Sequence, residues 1–127
     1  MSSIKRVIAI IIIISIIIIL DIIIQNNTKN IISQMNANLE NIDNMIENGE
    51  NASEEIEETI KEWEEKEKIM SYYMEHDELE KIGSNICLIQ KQIKIEAFDE
   101  ARTTISEVQF LFDHVEQKQL LNLENFF

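Results

Sequence analysis

The chain has 127 residues, a formal net charge of −13, two glycines, no proline and a single cysteine. One cysteine excludes an internal disulfide, and so few helix breakers point to an almost wholly helical chain. The acidic balance opposes binding to nucleic acid or to an anionic membrane surface, and it favours cation condensation or a basic partner.

Residues 1–6 form a short basic head with Lys5 and Arg6. Residues 7–24 follow as VIAIIIIISIIIILDIII, apolar but for Ser15 and Asp21. Eighteen helical residues rise about 27 Å, enough for the hydrocarbon core of a bilayer. Asp21, Gln25, Asn26 and Asn27 stand where a signal peptidase would need small residues, and the only cysteine, Cys87, is far from a lipoprotein position. The run therefore reads as a retained signal anchor. Asp21 lies within a turn of its outer end, where a carboxylate reaches headgroup water, and Ser15 is expected to bond back to the preceding turn. Basic residues cluster before the run, and only Lys29 follows within about twenty residues, so the head is expected in the cytoplasm and the tail outside.

The tail, 25–127, is expected to form an acidic helical bundle. Of 11 Lys and Arg residues nine follow the run, and of 24 Asp and Glu residues 23 do, so the tail carries −14. Ile32, Met35, Leu39, Ile42 and Ile46 alternate in steps of three and four, with no break from the anchor. One helix is expected over residues 4–47, stopping at Asn48-Gly49, where glycine takes the left-handed cap conformation. Asn51 and Glu54 have capping-box spacing before a second helix with Ile56, Ile60, Trp63, Met70 and Met74 on one face. The register then jumps, which predicts a turn at 75–77 with Asp77 and Glu80 as a second capping pair. A third helix carries Leu79, Ile82, Ile86, Ile89 and Ile93, and another turn is expected at 94–97. The last helix shows Phe98, Ala101, Ile105, Val108, Phe112 and Val115. Leu120, Leu121, Leu123, Phe126 and Phe127 are too apolar for water and are expected to dock on the bundle. Residues 52–63 (ASEEIEETIKEW) weakly resemble 97–108 (AFDEARTTISEV), compatible with two helical hairpins but not with a repeat array.

Little of this composes chemistry. Eight glutamates fall within 54–67, mostly off the Ile56–Ile60–Trp63 face, and read as a solvated surface rather than a metal site. Glu57–Lys61, Glu62–Lys66 and Glu64–Lys68 are spaced as helical ion pairs. His76 and His114 lack ligand spacing, and His76 suits a cap or surface role beside the second turn. Trp63 reads as core, and Cys87 as a small buried hydrophobe. There is no phosphate loop, no nucleophile–base spacing and no calcium loop, so no catalytic, cofactor or metal residue is assigned and an enzyme is not expected.

The basic head, the Ile-rich anchor, EWEEKEKIM, HDELEKI, FDEARTTISEVQFLFDHV and NFF together resemble a family of small membrane-anchored proteins of Gram-positive, spore-forming bacteria, known as domain of unknown function 4363. The resemblance spans nearly the whole chain and implies a membrane protein, but it lends no catalytic residue to any position.

The fold expected is all-α: an N-terminal transmembrane helix continuing into an antiparallel helical hairpin or bundle. The function expected is that of a single-pass accessory or interaction protein in the lipid bilayer, with a membrane-protein partner or self-association, and with no nucleic acid or small-molecule substrate. A bitopic coiled-coil scaffold of the cell-division or lysis-spanning type is the alternative, and a partner-dependent sensor is a third class. A hairpin bundle favours the interaction module, and an uninterrupted rod favours the scaffold.

Overall fold

The computed structural model describes the backbone of residues 2–126 and the side chains of residues 2–120. It is all helix: α1 (Ser2–Glu47), α2 (Ser53–Met70), α3 (His76–Lys94) and α4 (Phe98–Phe126). The connections are short, so successive helices run antiparallel. α1 packs on α2 and α4, and α3 packs on the same two, which gives a square four-helix bundle with α1 and α3 on one diagonal. The expected antiparallel bundle is thus the observed one, and the helix expected over residues 4–47 is continuous.

α1 plays two parts. Up to residue 24 its side chains are almost all exposed, and the most apolar stretch, long enough to cross a membrane, is 0% buried by the rest of the chain. Ser15 Oγ donates to the Ile11 carbonyl at 2.8 Å, so its hydroxyl is satisfied within the helix. From Thr28 onward one stripe is buried: Thr28, Ile31, Ile32, Met35, Leu39, Ile42 and Ile46. The end of the bundle beside the apolar run is called the near end below, and the end at Gly49 the far end. Gln25 and Gly49 are 24 residues apart, about 36 Å of helix.

The buried seams of α1 and α3 repeat each other. Ile32, Met35, Leu39, Ile42 and Ile46 have the same spacing as Leu79, Ile82, Ile86, Ile89 and Ile93, and all ten are buried. Both helices stop in the same way. Glu50 N–H donates to the Met45 carbonyl and Gly49 N–H to the Ile46 carbonyl; Ala97 N–H donates to the Gln92 carbonyl and Glu96 N–H to the Ile93 carbonyl. These are two Schellman caps, with Gly49 (φ 74°) and Glu96 (φ 61°) in the left-handed position. Glycine takes this conformation freely, whereas Glu96 holds it at a steric cost of about 1 kcal/mol. The weak resemblance of 52–63 to 97–108 has a structural counterpart. Thr59 and Thr104 are both buried and donate to the carbonyls four residues back, at 2.7 and 2.9 Å. The bundle is two similar helical hairpins.

The centre of the core lies between α2 and α4 across the other diagonal. The rings of Trp63 and Phe112 meet edge to face, centroids 5.6 Å apart. Trp63 is 2% exposed and Phe112 fully buried, as the sequence pattern requires.

Several expectations fail in detail. The second turn covers 71–75 rather than 75–77, because α2 ends at Met70. Ser71 Oγ donates to the Lys68 carbonyl and Met74 N–H to the Met70 carbonyl, curling the chain while Met74 still packs against the core. The four-residue step from Met70 to Met74 imitates a helical period that the backbone does not follow. Neither expected capping box forms. Asn51 Oδ1 accepts from Ser53 N–H at 3.0 Å, an Asx turn before the helix, and α3 begins at His76 with no side-chain cap. Ile60 is only half-buried, and Phe98 stays 43% exposed at the start of α4. Cys87 is exposed, because it follows Ile86 and so faces away from the seam. Leu120 is 50% exposed rather than docked. The expected docking of Leu121, Leu123, Phe126 and Phe127 lies outside the described side chains.

Candidate functional site

The near end gathers residues from three helices and the α2–α3 turn. α1 supplies Ile17, Asp21, Ile24 and Gln25; the turn after α2 supplies Tyr73, Met74 and Glu75; α3 supplies Glu78; and α4 supplies Val115, Lys118 and Gln119. They line a half-open crevice of about 290 Å³. Its floor is apolar, from Ile24, Met74 and Val115, and its rim is charged.

The rim is ordered by Lys118. Its Nζ lies 3.0 Å from Glu78 Oε1 and 3.4 Å from Glu75 Oε2, joining α4 to the start of α3. The hydrogen bond to Glu78 is the main reason that the Lys118 ammonium is held above the ordinary lysine range; partial desolvation opposes it and Glu75 adds to it. Asp21 is half-buried on the same crevice. Two carboxamides nearby lack partners among the described residues: Gln25 Nε2 and Gln119 Oε1 are both buried without a hydrogen bond. One is a donor and the other an acceptor, and both also line a smaller crevice of about 190 Å³ between α1 and α4.

The near end is tied to α1 from the other side by Tyr73, whose hydroxyl shares a 2.7 Å hydrogen bond with the buried Thr28 hydroxyl. Further along α1 the polar ties run outward. Asn38 Nδ2 donates to Glu62 at 2.7 Å, Gln109 Nε2 donates to Glu40 at 3.2 Å, and Arg102 Nε donates to Asp43 at 2.9 Å with Glu47 3.5 Å from the guanidinium. The Asp43 hydrogen bond and charge raise the Arg102 pKa from its already high value, so Arg102 keeps its charge at any working pH.

The residues singled out in the sequence do not converge. His76 begins α3, His114 is exposed on α4, and Cys87 is exposed on α3. The glutamates of α2 point mostly outward. Of the three ion pairs expected there, Glu57–Lys61 is present, at 3.7 Å between two exposed side chains, and is worth a few tenths of a kcal/mol. Among the described residues no three His, Cys, Asp or Glu side chains are placed to hold a metal ion. The Lys118–Glu75–Glu78 cluster was not legible, since Lys118 lies 40 residues from Glu78 and farther still from Glu75 in the chain. The only sequence signal at this end is the polar Asp21 and Gln25 at the close of the apolar run.

A family model covers residues 22–126, from the last turn of the apolar run to the end of α4. The chain belongs to the DUF4363 family, a domain of unknown function. The DUF4363 match includes Gln25, Tyr73, Lys118 and the other near-end residues from the α2–α3 turn, α3 and α4. It omits the apolar run before residue 22. The chain matches no curated protein and no solved structure.

Proposed function

We propose that this chain is a single-pass membrane protein that displays an acidic four-helix bundle outside the cell, and that it acts by binding another membrane protein or a second copy of itself rather than by catalysis. What supports this reading is the division of α1. One unbroken helix is bare over an apolar stretch long enough to cross a bilayer and is packed as one side of a bundle thereafter. Bare isoleucines in such number need lipid around them, since water would leave a large apolar surface uncovered. Lys5 and Arg6 before the run, against Lys29 alone within about twenty residues after it, favour a cytoplasmic head.

The bundle, unlike a rod, presents four helix faces and two ends for contact, which favours an interaction module over a spanning scaffold. Its acidic faces suit a partner surface rich in Lys and Arg. Labelling of intact cells with a membrane-impermeant maleimide tests the topology. In a Cys87→Ser background, a cysteine at Glu64 is expected to react before lysis and one at Ser3 only after it. The reverse order would overturn the orientation, and reaction of both before lysis would remove the span.

A further inference from the structure

Resting on the reading of α1 as a membrane span, we infer that the near end of the bundle is seated in the headgroup layer of the outer leaflet, with the α2–α3 turn touching lipid, and is not held clear of the membrane on a stalk. The crevice fixes the depth. Tyr73, Met74 and Glu75 of that turn share its walls with Ile17, Asp21 and Ile24 of the apolar run. The turn therefore borders the same crevice as the last turns of the run, and the Tyr73 hydroxyl bonds Thr28 just past its end, so the turn sits at the close of the run and not on a stalk. Four residues from Ile24 to Thr28 rise about 6 Å, within the thickness of one headgroup layer, which is about 5–8 Å.

The chemistry of this end agrees with that depth. Residues 69–74 read IMSYYM and carry no charge, directly after the strongly charged stretch 54–68 of α2. Tyr72 is 90% exposed, Ile69 45% and Leu120 50%, three large side chains turned away from the core at this end. A tyrosine with an exposed ring is the side chain that membrane–water interfaces favour. The charged rim sets the limit of insertion. Asp21, Glu75, Glu78 and Lys118 would be costly in hydrocarbon, so the acyl region must stop short of Asp21. That leaves the uncharged residues 7–20 for the hydrocarbon, about 21 Å of helix. This is short of an average bilayer, and Lys5 and Arg6 make up part of the difference by extending to the inner headgroups. Gln25 Nε2 and Gln119 Oε1, without a partner among the described residues, then lie at the level of headgroup water and lipid phosphate, where a carboxamide finds partners.

The test uses the full chain with Cys87→Ser in phosphatidylcholine nanodiscs. An environment-sensitive fluorophore is placed on a single cysteine at Ile12, Tyr72 or Glu50. Both bundle sites are exposed, so labelling there disturbs no packing. Tyr72 is expected to give blue-shifted emission, quenching by lipids spin-labelled near the headgroup, and iodide quenching several-fold weaker than at Glu50, which lies beyond the other end of α2, about 26 Å of helix. Ile12 is expected to be quenched by lipids labelled deep in the chain. If Ile12 behaves so while Tyr72 is as open to iodide as Glu50, the bundle stands clear of the membrane and the inference is wrong, though the span remains. Iodide access at Ile12 would overturn the span and the inference together.

Discussion

Trp63 on α2 and Gly83 on α3 are fitted to each other. A Cβ at position 83 would lie 2.9 Å from the indole Nε1, closer than any relaxed contact. Gly83 is in the interior of a helix, where glycine costs about 1 kcal/mol relative to alanine, and the ring that needs the space accounts for its presence. The indole N–H has no hydrogen-bond partner among the described residues, so Trp63 is held by packing on Gly83 and by the edge of Phe112.

A double-mutant cycle on this pair is the first prediction. Trp63→Ala is expected to cost about 3–5 kcal/mol by opening a cavity at the centre of the core. Gly83→Ala alone is expected to cost about 1–2 kcal/mol, the clash with the ring exceeding the gain in helix propensity. In the Trp63→Ala background the sign should reverse, with Gly83→Ala stabilising by up to about 1 kcal/mol. Denaturant unfolding of the four proteins measures this. Additive effects would show that the ring does not press on position 83.

Tyr73→Phe tests the link between α1 and the α2–α3 turn. The Thr28 hydroxyl is buried and would lose its 2.7 Å partner. The expected loss is about 1–2 kcal/mol, the usual cost of an unpaired buried hydroxyl. Faster hydrogen exchange at 71–75, with the far-end turn at 48–52 unchanged, would place the loss locally. Equal exchange in both proteins would mean that the bond contributes nothing to holding the turn.

Lys118 makes stability fall at alkaline pH. Its folded pKa is raised, chiefly by Glu78, so the pairing is fully present below the ordinary lysine value and is lost as pH rises through the folded value. In Lys118→Gln the alkaline decline in melting temperature should be shallower than in the parent, and the two curves should converge at high pH. Parallel curves across that range would dissociate Lys118 from the effect.

The sequence by itself determined the helices, their seams and the apolar run. Period and hydropathy are local properties, and Ile32 to Ile46, Leu79 to Ile93 and Ala101 to Val115 needed nothing beyond their own spacing. Gly49 announced its turn because glycine suits the left-handed cap. Glu96 marked a turn only through the break in register from Ile93, and its own identity gave no sign of a positive φ. Local spacing failed where two residues fit a period without sharing a helix, as Met70 and Met74 do. It also failed at Cys87, whose apolar character suggested burial that its position beside Ile86 forbids. Only the tertiary structure decided that α1 and α3 are diagonal partners, that Trp63 rests on Gly83, and that Lys118 meets Glu75 and Glu78. It alone brought Asp21 and Ile17 to the same crevice as the α2–α3 turn. Those relations depend on how antiparallel helices slide and rotate against one another, which is set by the interlocking of all four seams at once and is encoded in no single stretch of chain.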